Sequence, residues 1–249
     1  MFLTRSSSFL EFLPTNFAGD IPEPSDNSFF YRVFNLNIET ANQVVNTPYL
    51  QAMKRGELDP QYYGCLTVLD SYYCYNAVDT LNSLLCKVDQ SKYPGLYALI
   101  KANLDSYKRY NATFLQDWHI RQSDNVTPTD TMRNYAKHEQ NVMCYSDPIY
   151  TLVAYIPCYF LWPWFSQKII ESSGYHPGVY DNWFRGNYYG EDSYKSAWKL
   201  GNFIEEWEQQ GNSFNETKAS EIYRTSMQYE LAVFTEAFNP SSMAGIVKK

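Results

Sequence analysis

Histidine and closely spaced cysteine are scarce in this sequence. The 249 residues contain three histidines, none of which stands three or four positions from another, and five cysteines without a C-x-x-C pair. A zinc or di-iron centre needs several such ligands at short spacing, so no metal and no other cofactor is expected. An odd, widely spaced set of cysteines also argues against a disulfide framework and favours reduced thiols in the cytoplasm.

Basic patches, phosphate loops and strand patterns are also missing. Acidic residues outnumber Lys and Arg by 27 to 20, and no basic stripe offsets the formal net charge of −7. We therefore expect neither a nucleic acid nor a membrane as partner. No glycine-rich phosphate loop and no G-x-S-x-G elbow occurs, and residues 1–20 lack the features of a secretory signal. Because alternating strand patterns are absent, the predicted class is all-α.

Aromatic side chains are what the sequence has in excess. They make up 18% of the chain, which includes 23 tyrosines. This composition suits a cavity that stacks a flat aromatic ligand, and it equally suits a tyrosine-rich core. Composition alone leaves both interpretations open.

Proline and polar residues divide the chain. Residues 1–24 are predicted to form an extended arm, residues 25–239 a single helical domain, and residues 240–249 a flexible tail. About seven or eight helices are expected, the third interrupted near Asn111, and residues 48–53 are expected to form a turn. The predicted helices span 25–46, 61–88, 92–122, 130–146, 148–173, a short segment around Trp183, 193–209 and 215–238.

Two carboxylates stand on helix faces that are otherwise apolar. Asp70 and Glu230 each share a face with apolar or aromatic residues three and four positions away. A buried ionised carboxylate is costly unless it is hydrogen-bonded, so Asp70 needs either structural donors or a ligand that donates to it. Burial is expected to raise the pKa of Glu230 toward neutrality, where a carboxyl group can donate and regain a proton.

A long apolar and aromatic run, residues 150–164, carries Cys158 directly after Pro157. Proline removes one helical hydrogen bond, so the helix is expected to bend there. Neighbouring rings, among them Tyr155 and Trp162, suit a site that presents a thiol nucleophile to a flat substrate. The alternative is an unreactive core cysteine, since free cysteine is often buried.

An ordered set of residues across 28–238 resembles the TenA proteins of the thiaminase II type. These are all-helical proteins with a heme-oxygenase-like fold. The residues that carry the resemblance are Asp70-Ser-Tyr-Tyr73, Tyr135, Ala154-Tyr-Ile-Pro-Cys158, Tyr180-Asp-Asn-Trp183, and Tyr229-Glu230 with Phe234 and Ala237.

The resemblance implies roles for individual residues. Cys158 would be the nucleophile that attacks an aminopyrimidine ring, and Glu230 the acid/base that protonates the departing group. Asp70 would hold the amidine-like edge of the pyrimidine. Tyr135 would hydrogen-bond near the cysteine, and Tyr73 would help to sandwich the ring.

The sequence departs from the family pattern at two places. Trp162 stands four positions after the cysteine, where the family often has tyrosine. Asn187 stands four positions after Trp183, where a tyrosine is expected, so Tyr188 or Tyr189 would fill that role if the loop carries an insertion. Trp162, Tyr188 and Tyr189 are therefore also predicted to contact substrate.

The resemblance implies an enzyme that cleaves the C–N bond of thiamin or a related aminomethyl-pyrimidine by covalent cysteine catalysis. Hydrolysis and base exchange both remain open. Members of the family are often homo-oligomers, so an oligomer is expected. The alternative is a non-catalytic binding protein for an aromatic metabolite on the same fold. A heme or di-iron oxygenase is disfavoured by the few histidines.

Overall fold

The computed structural model describes residues 20–239, and this part of the chain is all-helical, as predicted. It contains ten α-helices and short 3-10 turns but no β-strand. Residues 1–19 of the predicted arm and the whole predicted tail, 240–249, lie outside the described residues. The helices are α1 (Phe29–Leu36), α2 (Ile38–Val45), α3 (Pro48–Lys54), α4 (Pro60–Leu85), α5 (Pro94–Trp118), α6 (Asp130–Tyr145), α7 (Pro148–Ile170), α8 (Asp181–Asn187), α9 (Lys195–Gln209) and α10 (Glu216–Glu236).

The first predicted helix is in fact two, and this accounts for part of the larger helix count. Helix α1 ends at Leu36, and the side-chain amide of Asn37 donates to the Val33 carbonyl at 2.8 Å. The backbone of Asn37 leaves the helical range, with φ of −113° and ψ of 13°, so α2 begins separately at Ile38. The predicted turn at 48–53 is helical as well, because Pro48 occupies the first turn of α3, where its missing N–H is tolerated.

Helices α4 and α5 form a long packed pair. The predicted interruption of α5 near Asn111 is wrong, since the helix continues to Trp118. Asn111 is buried, and its amide donates to the Cys74 carbonyl on α4 at 3.2 Å. The NH₂ group of its side chain is therefore paired with the neighbouring helix rather than with the backbone of α5. The helix ends at Trp118, four residues before its predicted end at Gln122. The next residue, His119, adopts a left-handed conformation with φ of 56°.

Helix α7 is the most deeply buried element, and it packs against α6, α8, α9 and α10. It continues through both Pro157 and Pro163. Between residues 20 and 239, no helix reaches the combination of length and hydropathy that crossing a membrane requires.

A glycine allows α1 and α9 to approach closely. A Cβ atom added at Gly201 of α9 would lie 2.7 Å from Cδ2 of Phe30 on α1. Phe30 in turn packs edge-on against Phe160 of α7, with ring centroids 4.9 Å apart. Gly201 therefore sets the spacing at which the N-terminal helix covers the core.

Candidate active site

Four helices, α4, α6, α7 and α10, meet around a small cavity. The space free of protein atoms within it, open solvent included, is about 300 Å³. Its wall combines apolar and aromatic side chains with one thiol and two carboxylates. The lining residues are Leu66, Asp70, Tyr73, Met132, Tyr135, Cys158, Trp162, Glu230 and Val233.

Six of the eight site residues predicted from the sequence line this cavity. Two of them are three positions apart on α4, Asp70 and Tyr73, and two are four positions apart on α7, Cys158 and Trp162. Each pair therefore lies on one face of its helix. Single residues from α6 and α10 complete the group. The six are Asp70 and Tyr73 on α4, Tyr135 on α6, Cys158 and Trp162 on α7, and Glu230 on α10.

Glu230 is almost fully buried, with 3% of its surface exposed, and both carboxylate oxygens are bonded. Tyr135 Oη donates to Oε1 at 2.8 Å, and Trp162 Nε1 donates to Oε2 at 3.1 Å. Burial raises the pKa of Glu230 to about 7, although these two hydrogen bonds lower it, and the charge of Asp70 raises it slightly. A carboxyl group with this pKa can both give and take a proton near neutral pH.

Asp70 is held by donors from two helices. Tyr110 Oη of α5 donates to Oδ2 at 3.2 Å, and Cys74 Sγ of α4 donates to Oδ1 at 3.7 Å. Burial raises the pKa of Asp70 to about 6, and the two hydrogen bonds oppose this rise. Asp70 remains partly exposed and lines the cavity, so its oxygens have lone pairs for a donor on a ligand.

Cys158 is partly exposed and lines the same cavity. Burial raises the pKa of its thiol well above the usual value, and the charges of Glu230, Asp70 and Glu139 raise it further. A hydrogen bond from Tyr73 acts in the opposite direction. The thiol is therefore protonated at neutral pH and has to lose its proton before it can act as a nucleophile.

The three histidines lie away from the cavity wall. His119 and His176 are exposed, and His138 lies beside the Tyr229 ring, with centroids 5.8 Å apart. Among residues 20–239, no three histidine, cysteine, aspartate or glutamate side chains are grouped as a metal ion would require.

Solved structures of other proteins share this arrangement of helices. A TenA homologue from P. horikoshii OT3 matches with a TM-score of 0.69 over 85% of this chain and 98% of its own, at 14% sequence identity. A Sulfolobus solfataricus P2 protein named as a TenA-like thiaminase gives 0.61 over 83% and 94%, at 17% identity. A TenA family transcription regulator from Silicibacter sp. TM1040 gives 0.70 over 85% and 97%, at 11% identity.

This is the TenA fold. The sequence by itself matches no protein-family model and no curated protein. The names of the TenA neighbours include both a thiaminase and a transcription regulator, so the shared fold does not decide between catalysis and binding. The choice between these functions depends on the site.

Aromatic rings form one wall of the cavity in this TenA fold. The rings of Tyr73 and Tyr135 lie 4.8 Å apart, and Tyr135 stacks on Tyr229 at 5.4 Å. Trp162, which departs from the TenA pattern, packs against Trp183 at 5.6 Å. The indole N–H of Trp162 can only donate a hydrogen bond, and Glu230 provides the acceptor.

Tyr188 and Tyr189 do not line the cavity. The ring of Tyr188 packs against Tyr194, with centroids 6.0 Å apart. Tyr189 is 48% exposed, and its backbone N–H donates to Ser193 Oγ. The aromatic that reaches toward the site from this part of the TenA fold is Trp183, through its contact with Trp162.

Two residues beside the site were missed by sequence reasoning, Glu139 and Tyr110. Glu139 of α6 is 1% exposed, and it accepts a hydrogen bond from Tyr73 Oη at 2.6 Å. Its helix carries buried residues at 132, 135, 136, 142 and 143, so the signal that pointed to Asp70 and Glu230 was present here too. Nothing in the sequence pairs Tyr110 with Asp70, since that contact depends on how α4 and α5 pack.

Proposed function

We propose that this protein is an enzyme of the thiaminase II type, which cleaves the C–N bond of thiamin or a related aminomethyl-pyrimidine in the cytoplasm. The observation that carries the proposal is the convergence of Cys158, Asp70 and Glu230 on one cavity. Each of them stands out chemically in the sequence, and they lie together within a TenA fold. No cofactor is needed for this chemistry.

In the proposed reaction, Asp70 accepts a hydrogen bond from the exocyclic amine of the pyrimidine. The aromatic wall of Tyr73 and Tyr135 stacks on the ring and aligns it with the thiol. Cys158 adds to an electron-poor ring carbon, so that a C–S bond forms and an electron pair moves into the ring. That pair expels the nitrogen from the exocyclic methylene, and Glu230 protonates a departing amine.

The second half of the reaction restores the thiol. Water, or another nucleophile in base exchange, adds to the methylene carbon that the leaving group has vacated, and Glu230 takes the proton that the nucleophile loses. The ring then expels the Cys158 sulfur, and the C–S bond breaks. The pKa of about 7 at Glu230 supports this cycle, because the group gives its proton and regains it near neutral pH.

A direct test measures product release. We expect incubation with thiamin or aminomethyl-pyrimidine analogues to release hydroxymethyl-pyrimidine, detected by chromatography and mass spectrometry. Removing the nucleophile in Cys158→Ala is expected to lower the rate by at least about 1000-fold, since covalent catalysis is then impossible. Cys144→Ser, which alters an exposed cysteine, is the matched control and should keep full activity.

One observation favours the alternative, a non-catalytic binding protein for an aromatic metabolite. The raised pKa of Cys158 keeps the thiol protonated, and a protonated thiol is a poor nucleophile. If Cys158→Ala binds pyrimidines normally and neither variant nor wild type releases product, the binding function is correct and the enzymatic one is wrong.

A further inference from the structure

Tyr110 of α5 bonds to the cavity residue Asp70 without being part of the cavity lining. Its hydroxyl donates to Asp70 Oδ2 at 3.2 Å, whereas the second donor, Cys74 Sγ, lies 3.7 Å from Oδ1. A thiol is a weak donor, so the phenol forms the stronger of these two contacts. The reaction proposed above uses Asp70 as an acceptor and gives no role to Tyr110.

Helix packing holds Tyr110 in place through contacts that involve no ligand. The side chain of the adjacent Asn111 donates to the carbonyl of Cys74 at 3.2 Å, one turn after Asp70 on α4. Within α5, the ring of Phe114 packs edge-on against the ring of Tyr110, with centroids 4.9 Å apart. These contacts fasten this part of α5 to α4, so the Tyr110 hydroxyl stays beside the carboxylate.

The carboxylate of Asp70 keeps further positions for a ligand. An ionised carboxylate offers about four lone-pair positions, and the contacts from Tyr110 and Cys74 use one on each oxygen. Asp70 remains partly exposed and lines the cavity. The protein donors therefore hold the group against rotation, and the unused lone pairs are available to a donor in the cavity.

The hydrogen bond from Tyr110 also stabilises the charged form of Asp70. Burial raises the pKa of Asp70 to about 6, and the bonds from Tyr110 and Cys74 oppose this rise. Without the Tyr110 hydroxyl the pKa would be higher, so a larger fraction of the group would be protonated near neutral pH. A protonated carboxyl group is a weaker acceptor for an amine than a carboxylate is.

We propose that Tyr110 is a positioning residue that orients Asp70 toward the exocyclic amine of the pyrimidine. Its hydroxyl holds Oδ2 from the α5 side and leaves the remaining lone pairs of the carboxylate to the ligand. Tyr110 acts only through Asp70. The inference rests on the proposed function, because it takes an aminopyrimidine as the ligand, but its first test needs no ligand.

The titratable groups that interact with Asp70 come from several helices, and all of them are acids, thiols or phenols. They are Tyr49 on α3, Tyr63 and Cys74 on α4, Tyr110 on α5, Cys158 on α7 and Glu230 on α10, and Tyr135 of α6 lines the cavity with it. A substitution at position 110 leaves the other groups in place. A change in the titration of Asp70 therefore reports on the lost hydroxyl.

The first test follows the titration of Asp70 by NMR on protein that carries an isotope label at the aspartate carboxyl carbons. The resonance of Asp70 is the one missing from Asp70→Asn. We expect a midpoint at about pH 6 in the wild type. Tyr110→Phe, which loses only the hydroxyl, should raise the midpoint by about half to one pH unit. An unchanged or lower midpoint overturns the inference.

Tyr75→Phe is the matched control. Tyr75 Oη of α4 donates to the carbonyl of Ile120, just beyond α5, at 2.8 Å. This variant also removes a tyrosine hydroxyl that joins the two chain segments, and the midpoint of Asp70 should stay at its wild-type value. An equal rise in both variants would show that loosened packing, and not the bond to Asp70, shifts the titration, and it would overturn the inference.

The second test measures the binding of amino-hydroxymethyl-pyrimidine by calorimetry as a function of pH. At about pH 6, Tyr110→Phe should bind about two- to fivefold more weakly than the wild type, because a larger fraction of Asp70 is protonated. The ratio of the two affinities should fall toward about pH 8, where Asp70 is ionised in both proteins. A general structural defect predicts a ratio that does not change with pH, and that result overturns the inference.

The two tests separate failure of the inference from failure of the proposed function. If the wild type neither binds nor cleaves pyrimidines, the proposed function fails, whereas a raised midpoint in Tyr110→Phe still supports the positioning of Asp70 by Tyr110. If pyrimidines are cleaved but the midpoint is unchanged, the function stands and the inference fails.

A second replacement covers the case in which Tyr110→Phe does not fold, as judged by circular dichroism. Fluorotyrosine in place of Tyr110 has a more acidic hydroxyl, which donates more strongly, so it should lower the midpoint of Asp70. An unchanged midpoint in this protein also overturns the inference.

Discussion

Asp70 and Glu230 have raised pKa values for the same reason, burial, but they differ in where those values lie. The pKa of Asp70 is about 6, and that of Glu230 is about 7. Between these values, Asp70 is mostly ionised and Glu230 mostly protonated. These are the states in which Asp70 accepts a hydrogen bond from an amine and Glu230 donates a proton, as the proposed reaction requires.

We therefore expect kcat/KM to follow a bell-shaped pH profile. The acidic limb should reflect an apparent pKa of about 6, because protonated Asp70 is a weaker hydrogen-bond acceptor than the carboxylate. With an aminomethyl-pyrimidine that loses an amine, the alkaline limb should reflect an apparent pKa of about 7, because ionised Glu230 has no proton to donate to the amine. Initial rates of product release across buffers from pH 5 to roughly 9 measure both limbs.

Variants assign the limbs of that profile. Asp70→Asn should remove the acidic limb, and Glu230→Gln the alkaline limb, each with a large loss of rate. An alkaline limb that persists unchanged in Glu230→Gln would contradict the role given to this carboxyl group.

Asp70 and Glu230 could be predicted as site residues from the sequence because each interrupts an apolar helix face. The sequence carried the same information for Glu139. What it did not contain is the identity of their partners. The bonds from Tyr110 to Asp70 and from Trp162 to Glu230 join residues on different helices. Such pairs depend on the packing of the helices, which spacing along one helix does not specify.

Helix boundaries show the same division between local and long-range information. Asn37 stands between α1 and α2, whereas Asn111 lies inside α5 and bonds to a carbonyl of α4. Both are asparagines within apolar helical patterns, so the sequence offers no basis for distinguishing them. The starts at Pro60 and Pro148 were predictable because proline is tolerated in the first turn of a helix, and at Pro60 the Asp59 side chain also caps the helix by accepting from the Gln61 N–H.

At the level of helix packing, Gly201 and Gly64 form a natural comparison. Alanine at Gly201 would force its Cβ against Phe30, whereas the nearest atom to a Cβ at Gly64 is 3.6 Å away, on Trp118. Both glycines lie in helices, so both substitutions gain helix propensity of about 1 kcal/mol. Only the first has to displace a buried ring, at a cost of about 1–3 kcal/mol.

Gly201→Ala is therefore expected to lower the free energy of unfolding, by up to about 2 kcal/mol. Gly64→Ala should leave it unchanged or raise it by up to about 1 kcal/mol. Urea titrations followed by circular dichroism measure both values. Equal effects of the two substitutions would show that α1 can move away from α9 without loss.

For the molecule as a whole, the buried carboxylates couple folding to pH. The pKa of Glu230 rises from an ordinary 4.5 to about 7 on folding, so the folded state binds this proton more tightly. Its contribution to stability is fully present below about pH 4.5 and is lost as the pH rises through about 7. At about 1.4 kcal/mol per tenfold change in proton affinity, the contribution is roughly 3 kcal/mol.

We expect the free energy of unfolding of the wild type to fall between pH 5 and 8. Glu230→Gln, which cannot ionise, should lose less stability over the same interval and should exceed the wild type at pH 8, by up to about 3 kcal/mol. Urea titrations at the two pH values measure the difference, with Glu236→Gln as the control. Parallel pH dependence in wild type and Glu230→Gln would contradict the raised pKa.

The residues around the three carboxylates Asp70, Glu139 and Glu230 also affect turnover. The neighbours that shift the pKa values of Asp70, Glu139 and Glu230 are tyrosine, tryptophan, cysteine and other carboxylates. A cavity of this kind attracts a cation and holds a neutral molecule less strongly. Thiamin carries a thiazolium cation, and cleavage of its C–N bond leaves a neutral thiazole. The reaction would thus abolish the charge that drew the substrate in, and product release would be favoured by the same electrostatics as substrate entry.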